Sequence, residues 1–205
     1  MTLCRSLVLG VLIACLAAAP ASAMTTFFNL SSFTGAPADV RVEINDGILP
    51  GLIQFKVDVI ANPNIGDIRG VFFNWDTTPA GFTGADIVGA DVTGFGFDTN
   101  NLGNGATVNP HSPFDLGVKI GTPGIGSDDI RSTIFTIADR GVLTAGSFTE
   151  VGARLTSVGL EGSSRSGSSK LSGTPETPIP EPTTMALLVG GLLGGGVLRR
   201  RRRAN

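Results

Sequence analysis

Asp98-Thr99-Asn100-Asn101-Leu102-Gly103 is the stretch whose side chains come nearest to a metal-binding loop. Calcium takes six to eight oxygen ligands, and a loop that wraps it places oxygens at alternate positions and a bidentate Glu at the twelfth. Asp98 and Asn100 suit the first and third places, so they are the candidate calcium ligands. Leu102 stands at the fifth and Asn109 at the twelfth, which leaves a plain Asn/Gly loop as the competing reading.

His111 is the sole histidine, and the two cysteines, Cys4 and Cys15, fall in the first 15 residues. A Cys/His couple or a multi-histidine metal centre is therefore excluded from the body of the chain. No serine sits in a G-x-S-x-G elbow, so His111, within Asn109-Pro110-His111-Ser112-Pro113, reads as a loop residue. Asp128 and Asp129 are adjacent carboxylates, and neighbours on a strand point to opposite faces. A glycosidase pair would have to be assembled from carboxylates distant in sequence, facing each other about 5 to 9.5 Å apart. Trp75, the single tryptophan, follows Phe72 and Phe73 in an apolar run and reads as core, although an exposed ring there would suit a sugar. No catalytic residue and no cofactor other than calcium is assigned.

The elements that must carry these residues are strands. Asp39–Asn45, Leu52–Ala61, Ile68–Trp75, Ile87–Thr93, Asp115–Ile120, Ile130–Ile137 and Gly152–Val158 all alternate with period two. In the second, Ile53, Phe55, Val57 and Val59 face one way, and Gln54, Lys56 and Asp58 the other, as on a half-buried strand. Gly, Pro, Asn and Asp punctuate the gaps, and no stretch of the body sustains a capped helical period. The fold class is all-β, a β-sandwich or jelly-roll-like ectodomain over residues 24–158. Residues 159–178 turn to Ser, Gly, Thr and Pro and read as an unstructured linker reaching about 25 Å.

Both ends carry processing signals. Residues 1–23 combine Arg5, an apolar run from Leu7 to Ala19 and the triplet Ala21-Ser22-Ala23, the three-part pattern of a signal peptide. Ala21 and Ala23 present the small side chains that signal peptidase requires, which places the cut after Ala23. At the other end stand Pro180-Glu181-Pro182, an uncharged run from Thr183 to Leu198, and five arginines, Arg199, Arg200, Arg201, Arg202 and Arg203. The 16-residue run makes a short transmembrane helix of about 24 Å against roughly 30 Å of hydrocarbon. The arginines act as a membrane stop held on the cytoplasmic side, which faces the body outward.

From Met24 to Pro182 there are nine Lys/Arg against 17 Asp/Glu, a balance of −8. Such a surface repels phosphate backbones, so nucleic acid is not an expected partner.

Ile179-Pro180-Glu181-Pro182, the apolar run and the arginine cluster together resemble the PEP-CTERM sorting domain of Gram-negative bacteria, over residues 179–205. The resemblance implies an exosortase, a membrane-embedded cysteine protease of transpeptidase type, as partner. That enzyme cuts near the Pro-Glu-Pro of an inner-membrane intermediate and sends the body to the cell surface or beyond. It also implies a host that makes extracellular polysaccharide. Phe114–Gly126 and Ser157–Ser163 resemble a recurrent kind of PEP-CTERM ectodomain that brings no chemistry with it. The expected function is that of an exported, non-enzymatic surface or biofilm-matrix protein linked to exopolysaccharide. A calcium-assisted carbohydrate-binding domain is the alternative, and a secreted glycoside hydrolase the third.

Overall fold

The computed structural model describes residues 24–176. The signal peptide with Ala21 and Ala23, the Pro180-Glu181-Pro182 motif, the 183–198 run and the arginines at 199–203 lie outside the described residues. The body is all-β. Its strands are β1 (Thr25–Gly35), β2 (Asp39–Leu49), β3 (Leu52–Ile60), β4 (Asn64–Trp75), β5 (Ile87–Gly89), β6 (Val92–Thr99), β7 (Phe114–Ile120), β8 (Ser132–Ala138), β9 (Phe148–Leu160) and β10 (Gly167–Gly173).

All ten pair antiparallel in one continuous sheet of order β5-β8-β3-β2-β1-β10-β9-β4-β7-β6. A sandwich or jelly roll would divide these strands between two sheets; here one sheet curls over itself. Its edge strands, β5 and β6, are consecutive in sequence and separated only by Ala90 and Asp91, so the sheet is nearly closed. Closure of this kind leaves little free edge for unwanted pairing. The expected 87–93 strand is broken at that link.

Alternation explains most of the interior. Ile53, Phe55 and Val57 of β3 and Val40, Val42 and Ile44 of β2 are fully buried or nearly so, while Lys56 and Arg41 face out. β4 differs, being buried on both faces over most of its length. Val71 and Phe73 enter the main core. Phe72, on the opposite face, joins Val108 and Phe114 in a second cluster beneath the 100–113 loop.

The largest departure from the sequence reading is the segment taken for a linker. β9 continues to Leu160, and Gly167–Gly173 forms β10 between β1 and β9. Composition argued for disorder because Leu171 is the one large apolar residue in β10. Order comes instead from hydrogen-bonded neighbours on both sides and from close approach. A Cβ on Gly173 would lie 2.5 Å from the Asn29 carbonyl oxygen, and one on Gly35 (φ +99°) 2.1 Å from that of Ser168. Ser169, fully buried, meets the Ser32 hydroxyl at 2.6 Å. β1 was also missed, though Thr26, Phe28 and Leu30 alternate inward along it.

Two buried charges lie at the bulged start of β4. Asp67 is fully buried and accepts hydrogen bonds from the Ile130 N–H and the Thr156 hydroxyl, both at 3.1 Å. Burial pushes its carboxyl up to about 6, with the Asp128 carboxylate adding to the effect. Arg69, also fully buried, donates from Nη1 to the Ile120 carbonyl, while its Nε and Nη2 have no partner.

Two expectations follow. A chain ending at Val158 strips β1 and β9 of their shared neighbour and should lose cooperative thermal unfolding by circular dichroism; a normal transition would return β10 to the status of a linker. The second concerns pH. The folded state binds the Asp67 proton more tightly than the unfolded chain, so this group's contribution declines as pH rises from 3.8 to about 6 and then levels. Asp86 and Asp129 shift downward, through hydrogen bonds from Arg140 and Arg165, and act below that window. Asp67→Asn should therefore flatten the pH dependence of Tm between 4 and 6 relative to the parent; equal slopes would refute the assignment.

Candidate functional site

β4 ends at Trp75, and its backbone N–H donates to Asp115 Oδ2 at 2.9 Å, while the Asp115 N–H donates to Asn74 Oδ1 at 3.1 Å. These bonds tie the end of β4 to the start of β7. The chain then leaves through residues 76–83, fixed at one end by Asp76 N–H to the Ser147 carbonyl at 2.9 Å. At the other end Arg140 pairs with Asp86 at 2.6 Å, beside the short 3-10 turn Gly84–Asp86. The held loop and the ends of β6 and β7 border an open recess of about 420 Å³. Trp75, Phe82, Phe97, Asp98 and Asp115 line it together with residues 78–81. That volume is within the roughly 300–1,000 Å³ range of small-molecule sites.

The aromatic walls continue beyond the recess as a row. Trp75 meets Phe82 at 5.5 Å, Phe82 meets Phe97 at 6.1 Å, and Phe97 meets Phe95 at 5.7 Å, each pair edge-to-face. Trp75 at the inner end is only 8% exposed, whereas Phe97 and Phe95 are 41% and 48% exposed. The indole Nε1 of Trp75 is buried and has no hydrogen-bond acceptor. The expectation that Trp75 packs in the core is met, since it also touches Phe148 at 6.3 Å, but one side of it forms the recess wall. No basic residue lines the recess.

The two candidate calcium ligands make different contacts. Asp98, with a left-handed backbone at φ +48°, faces the recess. Asn100 donates from Nδ2 to the His111 carbonyl at 2.6 Å. Among the described residues no group of three or more His, Cys, Asp or Glu is gathered as a metal site. Asp128 and Asp129 are each tied into a separate set of hydrogen bonds. Asp128 Oδ2 accepts from the Thr122 N–H at 2.8 Å, and Asp129 takes a two-pronged contact from the buried Arg165 at 2.6 and 2.7 Å.

His111 has a structural task. Its ring stacks on Phe114 at 4.4 Å; Nδ1 lies 2.9 Å from the Ser112 carbonyl and Nε2 2.9 Å from Glu150 Oε1 on β9. With both nitrogens engaged, none is offered to a serine hydroxyl. The 100–113 loop is held further by Arg154 Nε to the Gly105 carbonyl at 3.1 Å and by Lys170 to the Asn109 carbonyl.

Residues 178–203 match the family described as the PEP-CTERM protein-sorting motif. The chain carries an exosortase sorting signal. No curated protein and no solved structure matches it. The PEP-CTERM motif marks the chain as an exported protein, passing through a membrane-anchored intermediate and processed by an exosortase.

The PEP-CTERM motif also starts much closer to the folded body than the linker reading implied. Pro175 bridges to Phe28, and the Glu176 N–H donates to the Phe27 carbonyl at 2.8 Å, so the body ends two positions before Pro178. From Glu176 to Pro180 the chain spans at most about 14 Å.

His111→Ala removes the hydrogen bond to Glu150 and a stacked ring, and should cost about 1–3 kcal/mol. Hydrogen exchange should accelerate in residues 100–113 and stay unchanged in β2 and β3. Unaltered exchange in that loop would mean that His111 does not hold it.

Proposed function

We propose that this is a surface or extracellular-matrix protein that works without turnover. Its β-domain, cut near Pro180-Glu181-Pro182, joins the exopolysaccharide layer. The observation that carries the reading is the sorting motif at residues 178–203. Export begins at the signal peptide with cleavage after Ala23, and the 183–198 run holds the intermediate with Arg199 to Arg203 inside. The acidic body disfavours nucleic acid. The engagement of both His111 nitrogens supports a non-enzymatic role.

Glycoside hydrolysis is the second reading, favoured by the two carboxylates, Asp98 and Asp115, on one recess. It needs one of them held as an acid and the other free as base or nucleophile.

The deciding measurement is intact mass and fractionation from the native host, with and without alanine at Pro180, Glu181 and Pro182. The parent should begin at Met24 and end near Pro182, and the variant should stay in the membrane at full C-terminal length. An uncut C-terminus in both would overturn exosortase processing. Release of reducing ends from a polysaccharide, abolished by Asp98→Asn or Asp115→Asn, would replace the non-enzymatic reading by the hydrolytic one.

A further inference from the structure

We propose that the aromatic row from Trp75 through Phe82 and Phe97 to Phe95 binds a linear polysaccharide that carries no negative charge. This deepens the reading of a surface protein and rests on it only for the supply of glycan outside the cell.

Four features point to that ligand. First, the recess offers ring faces and edges together with the carboxylates of Asp98 and Asp115. A pyranose has the matching duality, apolar C–H faces that lie against aromatic rings and hydroxyls that donate to carboxylates. Second, Asp98 and Asp115 offer acceptor oxygens at the same recess, which a ligand rich in hydroxyl donors can serve together. Third, the absence of a lining base beside two carboxylates disfavours uronate, sulfate or phosphate groups. An amine-bearing sugar is compatible, because cations are drawn to both carboxylates and ring faces. Fourth, the row runs past the recess onto edge strand β6, where Phe95 and Phe97 stand about half exposed. A single small molecule would need the recess alone; a chain of sugars uses the row.

A second copy of this protein is the competing occupant of so apolar a surface. Two-fold docking through the same patch would gather the Asp98 and Asp115 carboxylates of both copies in one drying interface with no lining base to pair them. The carboxylates thus argue against self-association and for a hydroxyl-rich partner.

Trp75, the sole tryptophan, lines the recess and reports on it directly. Full-length protein in detergent micelles is titrated with hexasaccharides of cellulose, β-1,3-glucan, chitin and chitosan, and with alginate hexasaccharide as the anionic control, following Trp75 fluorescence. At least one uncharged or amine-bearing hexamer should give a saturable change, and alginate none. Phe97→Ala should weaken that binding about tenfold, and Phe95→Ala by a smaller factor, without a large change in Tm. Both rings are exposed enough for the variants to fold. Silence from every hexamer, equal binding of alginate, or affinity indifferent to both substitutions would overturn the proposal. So would concentration-dependent dimerisation of the parent that Phe97→Ala abolishes, which would assign the row to a second copy. The titration is independent of fractionation in the host. Failed processing with saturable binding would sink the sorting reading alone, and normal processing without binding would sink this one alone.

Discussion

Phe55 is the residue through which the two sides of the curled sheet hold each other. It projects inward from β3 and packs on Phe135 of β8 at 5.0 Å, nearly parallel, on Phe73 of β4 at 4.8 Å and on Phe148 of β9 at 5.1 Å. β3 and β8 are neighbours in the sheet; β4 and β9 lie on the far side of it. No cysteine occurs after Cys15, so nothing covalent closes the body, and closure rests on this aromatic interior. Burying each ring is worth about 1.5–3 kcal/mol, and edge-to-face geometry adds about 0.5–1.5 kcal/mol per pair. The same cluster fixes the recess. Phe73 and Phe148 set the path of β4, and β4 delivers Trp75 two residues later to the rim. The aromatic row at the surface is thus an outward continuation of the core, which gives its inner end a rigid footing and leaves its outer end free.

The sequence speaks clearly where burial is one-sided. Ile53, Phe55 and Val57 alternate with polar neighbours, and β3 is where it was expected. β10 was illegible because Gly-Ser-Ser-Lys-Leu-Ser-Gly has the composition of a flexible chain, while its small residues answer to the tight approach of β1 and β9. Only a contact across more than a hundred residues, such as Ser32 with Ser169, supplies that reason. The recess was half legible. Trp75 drew attention as the single tryptophan, and Asp98 as a calcium candidate, but Phe82 and Asp115 join them only through the loop that folds over β6 and β7. One signal was available in β6. Gly94, Phe95, Gly96, Phe97 invert the usual strand, with large apolar residues outward and glycines beneath them.

The termini of the body add a further constraint. Met24 N–H donates to Asp46 Oδ1 at 2.7 Å, and Asp46 Oδ2 accepts from the Ala145 N–H at 2.9 Å, so the first residue after the A-x-A triplet is tied into the fold. At the far end Glu176 is still paired with β1, two positions before the sorting motif. A cut after Ala23 would convert the Met24 N–H into an ammonium already placed on a carboxylate, strengthening that bond by roughly a factor of two. The folded body and the sorting motif therefore abut with almost no intervening chain. With at most about 14 Å of chain between Glu176 and Pro180, an enzyme that cut at the Pro-Glu-Pro would work close to the pairing of Glu176 with β1. The recess is formed elsewhere, at the ends of β4, β6 and β7, where β6 is an edge of the sheet and β1 and β10 are central strands. The end of the described chain, paired with β1, and the recess therefore belong to different strands of the sheet.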